Sequence, residues 1–164
     1  MRAVIAWRIQ SHFSQHSGTL DKWLVETFPE FIPSELTENL PVCTNEEWIV
    51  LMLSLAPHIQ TNFFESVILE HLPNGGDFPE FGGVKATNHR GMLPTGETVQ
   101  FILAGTDIER RLLIQQFFNE EHFFFKLGIL WIEPVKEGEP MMSGRIIFDQ
   151  EWIEELLFGK RSAP

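Results

Sequence analysis

The sequence predicts a mainly helical fold carrying one small β-hairpin, an α+β class, and three observations lead there. Apolar residues recur at helical spacing in successive stretches between residues 19 and 117. Two of those stretches, 95–104 and 106–117, are parted only by a turn containing Gly105, the pattern of a helix-turn-helix. Two strand-like runs, 123–133 and 143–148, then flank a charged loop that holds Gly138 between Pro134 and Pro140, which reads as a long hairpin or wing.

In chain order, residues 1–16 carry Arg2, Arg8, His12 and His16 without an acid, and fit an edge strand, a short helix or a partly disordered tail. His12 and His16 have i, i+4 spacing, but no carboxylate or cysteine stands near them and chance explains the pair better than a metal. A first clear helix spans about 19–28 with Leu20, Trp23, Leu24 and Phe28 on one side, and Pro29, Pro33 and Pro41 then hold the chain in short turns. Thr44-Asn45-Glu46-Glu47 is a capping box that opens a helix over 48–56, apolar almost all round and therefore central, which Pro57 is expected to break. A third helix is expected over 58–72, with Ile59, Phe63 and Val67 beside Phe64, Ile68 and Leu72, and with His71 answering the negative end of its dipole.

The irregular stretch 82–107 organises the rest. Gly91-Met92-Leu93-Pro94-Thr95-Gly96-Glu97-Thr98 matches a phosphate-binding loop at every fixed position except the lysine. Glu97 puts a carboxylate where the cation must be, so the electrostatics oppose phosphate. The better reading makes Thr95 a helix N-cap with Glu97 in the first turn, and Val99, Ile102 and Leu103 facing inward. Gly105 ends that helix in a left-handed conformation, and Thr106-Asp107-Ile108-Glu109 has capping-box spacing for the next. There Ile108, Leu112, Gln115 and Gln116 follow at helical spacing, with Leu113 and Phe117 widening the apolar face. Asp149 caps a last helix with Trp152, Ile153, Leu156 and Leu157 inward, Gly159 ends it, and residues 160–164 have linker composition and are expected to lead onward.

Composition narrows function by exclusion. The 164 residues suffice for one compact domain plus an arm. A formal net charge of −11 disfavours nucleic acid, whose affinity comes from neutralised phosphates, unless a local basic face exists. Fifteen phenylalanines and no tyrosine make apolar packing the main use of the rings, and leave room for an apolar face covered by a partner. Cys43 is alone, so a reducing, cytoplasmic setting is expected, and an ordinary buried thiol explains it better than a nucleophile. No apolar run is long enough to span a bilayer, and the first eight residues are broken by charge too early for a secretory signal. Nothing in the residues calls for a cofactor.

Helix, helix-turn-helix and wing in that order form the winged-helix arrangement. The run from Gly83 through Asn88-His89-Arg90-Gly91 to Gly96-Glu97-Thr98, followed by Phe101-Ile102-Leu103-Ala104-Gly105, resembles the winged-helix domain that precedes the AAA+ module in ATPases encoded with phage-tail-like contractile injection systems. Phe117-Phe118-Asn119-Glu120-Glu121-His122 and Glu139-Pro140-Met141-Met142-Ser143-Gly144 are similar to the same family's helix end and wing. The resemblance covers roughly residues 44–158, leaving 1–43 as an N-terminal arm and helical extension, 44–159 as the domain and 160–164 as the start of a tail. It implies a non-catalytic module whose partners are proteins, with an AAA+ domain in cis or in trans and injection-system components first among them. Lys85, Asn88, His89, Arg90, Thr95, Glu97, Arg110 and Arg111 are the candidate interaction or loop-structuring residues, with catalytic and metal roles assigned to none. Two rival readings define tests. A DNA-binding regulator needs Lys85, His89, Arg90, Arg110 and Arg111 to converge into one positive patch. An enzyme built on His89, Arg90 and Glu97 needs acid and base within hydrogen-bond reach.

Overall fold

The computed structural model of the chain describes residues 1–14, 18–27, 39–72, 78–89 and 91–159. Among these residues eight helices and two short strands follow one another: α1 (Arg2–Ser14), α2 (Leu20–Thr27), α3 (Asn45–Ile59), α4 (Phe63–His71), α5 (Gly96–Ala104), α6 (Ile108–Ile114), α7 (Phe123–Lys126), β1 (Leu130–Ile132), β2 (Ile146–Phe148) and α8 (Gln150–Phe158). The fold is mostly helical with a two-stranded antiparallel sheet, the α+β class that periodicity predicts.

The first residues settle as helix rather than strand or tail. Val4, Ile5 and Ile9 of α1 are buried in the same cluster as Ile49 and Leu53 of α3 and Phe101 and Ile102 of α5, and α1 packs against α4 and α5. His12 lies with its ring against Phe13, Phe78 and Phe101. Its expected neighbour His16 lies outside the described residues, as do Phe28, Pro29, Pro33 and the tail 160–164.

The capping box at Thr44 forms in full. Thr44 Oγ1 accepts from Glu47 N at 3.2 Å, and Glu47 Oε1 accepts from Thr44 N at 2.9 Å. Pro57 does not break α3. The helix carries it in its last turn and runs to Ile59, because a proline two residues from the end forfeits one amide bond and the termination follows anyway at Gln60. The next helix therefore starts at Phe63, not 58, and Ile59 is left exposed instead of joining its stripe. Phe64 and Val67 go inward, and Phe64 meets Phe81 at 5.8 Å between ring centroids, which in turn meets Phe101 at 5.9 Å. This aromatic stack under α5 absorbs part of the phenylalanine excess.

Strand boundaries also move. The run beginning at Phe123 opens as the short helix α7, because His122 Nδ1 accepts from Phe124 N at 3.1 Å and acts as its cap. Gly128 then turns the chain at φ 63°, and only Leu130–Ile132 pairs, with Leu130 opposite Phe148 and Ile132 opposite Ile146. Met141–Ser143 is a single 3-10 turn, so β2 starts at Ile146. The backbone just before α5 runs along the other side of β2, with Ile146 N donating to Pro94 O at 2.9 Å and Gly96 N to Gly144 O at 3.2 Å. Asp149 Oδ2 accepts from Trp152 N at 3.2 Å to cap α8, and Gly159 closes it in the left-handed conformation, both as predicted.

Candidate functional site

The α5–α6 junction is where the structure departs furthest from an ordinary surface. Thr95 caps α5 with Glu97 in the first turn, as expected, and Thr98 completes the box, with Thr95 N donating to Thr98 Oγ1 at 3.1 Å. Val99, Phe101, Ile102 and Leu103 are all below 2% exposed, so α5 buries every face instead of one. Gly105 ends the helix at φ 58°, ψ −122°, a positive φ outside the left-handed helical basin and accessible in practice to glycine alone. Asp107, not Thr106, caps α6, its Oδ1 accepting from Arg110 N at 3.2 Å. Gln100 Nε2 donates to Arg111 O at 3.1 Å and ties the two helices together.

The basic residues of α6 turn back into the protein. Arg110 Nη2 meets Glu46 Oε1 of α3 at 2.5 Å and its Nε reaches Leu103 O at 3.4 Å. Arg111 Nε donates to Gly105 O at 2.6 Å. Arg110 therefore bonds α3 at its first turn, whereas burial and then repulsion from His89 lower the pKa of His58 near the other end of that helix. Twelve residues at 1.5 Å rise separate those ends by about 18 Å. Arg110 and His89 thus lie toward opposite ends of α3, Lys85 is exposed, and Arg90 lies outside the described residues.

Apolar side chains take the position that a DNA reader would give to cations. Ile108, Leu112 and Leu113 are 73%, 61% and 59% exposed, and of α6 only Ile114 is buried. The expected inward face of this helix is an outward one. Leu112 continues into a groove of about 860 Å3 walled by Phe118, Phe125, Trp131, Ile132 and Met141, with Glu120 and Glu121 at the same site. Sequence periodicity missed these residues as a surface. The available signal was surplus: apolar positions 108, 112, 113, 114, 117 and 118 wrap more of a helix than one core can cover.

Other candidates are placed around the 82–95 loop. Val84 and Leu93 bridge across it, with Val84 N donating to Leu93 O at 3.0 Å and the return bond at 2.7 Å. Lys85 and Asn88 are exposed, and His89 Nε2 is buried without a hydrogen-bond partner among the described residues. The loop's polar work is done by Glu65 of α4, whose Oε1 accepts from Met92 N, and by Thr95, whose Oγ1 accepts from Gly83 N at 3.2 Å. Glu97 stands at the base of the loop against Gly82, and among the described residues no hydrogen bond joins it to His89.

Two further groups bear on chemistry. Burial, with Glu47 second, pushes the Cys43 thiol up to about 11, and its Sγ donates to Pro41 O at 3.3 Å, so it is a protonated thiol at neutral pH. His122 accepts at Nδ1, so Nε2 carries the proton and donates to Glu47 Oε2 at 2.7 Å. That pair joins α7 to the α3 cap and is accounted for structurally. Among the described residues no three His, Cys, Asp or Glu are grouped to hold a metal, and no helix is long and apolar enough to cross a membrane. Comparison with protein-family models, with curated proteins and with solved structures finds no match to this chain.

Proposed function

We propose that this chain is a non-catalytic interaction domain of the winged-helix type that works by binding other proteins. Support for the fold reading comes from strand order. The segment before α5 pairs with β2 and β2 pairs with β1, while α5 and α6 lie between the first and second of these in sequence, as in a helix-turn-helix followed by a wing. The observation that carries the function is the orientation of α6: its arginines are bonded inward and Ile108, Leu112 and Leu113 face solvent. Exposed contiguous apolar surface on a small domain marks a site covered by a partner. Aromatic and Met side chains along the adjoining groove are of the kind enriched in protein interfaces. The sequence resemblance names the partner to try first, an AAA+ ATPase of a contractile injection system, attached in cis or bound in trans.

The test is titration of the domain against the AAA+ ATPase of such a system, with a Leu112→Asp, Leu113→Asp double variant beside it. The expected result is saturable binding weakened at least tenfold in the variant, whose Tm stays near that of the parent because both side chains are already exposed. Duplex DNA bound tighter than about 1 μM at physiological salt, beyond ordinary non-specific affinity, would overturn the reading in favour of a DNA-binding regulator.

A further inference from the structure

Among the described residues Arg8 is a cation without a carboxylate partner. It reaches from α1 across the C-terminal end of α5, donating from Nε to Ile102 O at 2.8 Å and from Nη2 to Leu103 O at 3.3 Å. Its guanidinium carbon lies 4.9 Å from the Trp7 ring centroid. All of these partners are neutral, and no ion pair joins Arg8 to a carboxylate among the described residues. Burial, then repulsion from Arg110 and Arg111, lowers its pKa to about 10. Cations withdrawn from water are ordinarily paired; here Glu46 pairs with Arg110 and Asp107 accepts from the Arg110 amide, while among the described residues Arg8 has no carboxylate of its own.

Arg8 borders a cavity of about 540 Å3 lined also by Arg110, Ser11, Thr19, Gly105 and Thr106. Thr19 Oγ1 accepts from Lys22 N at 3.3 Å, which leaves its O–H to donate. The α5 carbonyls that would repel an anion are already covered, two by Arg8 and that of Gly105 by Arg111. Asp107 also borders the cavity, with its carboxylate held by Arg110 N.

We propose that this cavity binds an oxyanion, a phosphate or carboxylate group, with Arg8 as the selecting charge and the hydroxyls of Ser11, Thr19 and Thr106 as added donors. A guanidinium fork suits planar or tetrahedral oxyanions better than chloride. The volume falls within the range of small-molecule sites, so the oxyanion is the head of a larger ligand. The site faces α1 and α2 rather than the α6 groove, and does not depend on the proposed function.

The experiment is thermal unfolding of the full chain in chloride, inorganic phosphate or citrate at matched ionic strength. The expected result is a saturable rise in Tm of roughly 5–10 °C at a hundredfold excess over Kd, absent in Arg8→Gln. Whichever of phosphate and citrate saturates at lower concentration assigns the ligand class. Since Arg8→Gln could lose stability by uncapping α5, a second variant, Thr106→Glu, brings a carboxylate to the exposed rim. It should raise Tm in phosphate-free chloride and remove the phosphate response. No saturable shift with either oxyanion, or a Thr106→Glu protein that melts lower and still responds, would overturn the site.

Discussion

Helices α5 and α6 are neighbours in sequence, separated by three residues, and both are rich in apolar residues, yet one is the hub of the core and the other wears its apolar residues outside. α5 packs against α1, α3, α6 and the two 3-10 turns at Pro79–Phe81 and Met141–Ser143, so every face finds a covering element. α6 sends only Ile114 into the core and is otherwise held by polar bonds: Arg110 to Glu46 and Leu103 O, Arg111 to Gly105 O, and Gln100 to Arg111 O. Hydrophobic content does not decide burial; the number of elements that topology brings around a helix does. A helix anchored by its polar side chains can spend its apolar ones on a partner.

The largest effect expected from this contrast is on stability. Phe101→Ala removes a ring that is 1% exposed and packed edge-on against Phe78 and at a tilt against Phe81, and large-to-small changes of this kind cost about 3–5 kcal/mol. Leu112→Ala, at 61% exposure, should change stability by less than about 0.5 kcal/mol. Urea unfolding of the two variants measures the difference directly. Similar losses for both would mean that the α6 face is covered in the native protein and the outward reading is wrong.

The middle-sized effect concerns the tether. Arg110→Ala severs the link to Glu46 and leaves Leu103 O with Arg8 alone, for an expected loss of about 1–2 kcal/mol, since the pair is partly exposed and screened. Hydrogen exchange should show the loss concentrated in α6, with the amides of α5 retaining most of their protection. Uniform loss across both helices would show that α6 is integral to the core rather than pinned to it.

How much of this was legible in the sequence depends on whether the signal is local. The Thr44 box, the Asp149 cap and the Gly159 stop are decided within four residues, and the sequence places each correctly. Gly105 is found as a stop but not with its actual ψ, because the carbonyls it arranges bond to Arg8 and Arg111 from other elements. Pro57 misleads because a proline's cost depends on how many turns follow it, and here the helix ends at once. Phe123-Phe124-Phe125 reads as strand on propensity until His122 supplies a cap six residues ahead of the Gly128 turn. The α6 face is the deepest miss, since periodicity gives the angular spread of apolar residues and says nothing about what lies opposite them. Arg8 escaped notice for a similar reason: its partners lie more than 90 positions away.

The smallest effect changes the solvent rather than a residue of either helix, and acts at the opposite end of α3 from the Arg110 tether. His58 is exposed at the residue level, and its pKa is lowered from 6.5 first by the partial burial of its ring, with Phe148 6.5 Å away, and then by repulsion from His89. A histidine depressed in the folded state binds its proton more readily when unfolded. Its contribution to stability is therefore complete above the unfolded pKa of 6.5 and is lost as pH falls through that value toward the folded one. Melting followed from about pH 7.5 down to about pH 5.5, above the range where carboxylates dominate, should show a gentle decline that His58→Gln flattens. The Arg110 tether sits at the other end of α3 from His58, so an Arg110→Ala protein should keep the parent's slope at a lower Tm. A slope that changes with Arg110 and not with His58 would locate the titrating group at the α6 end of α3, and would tie the exposed helix to pH instead.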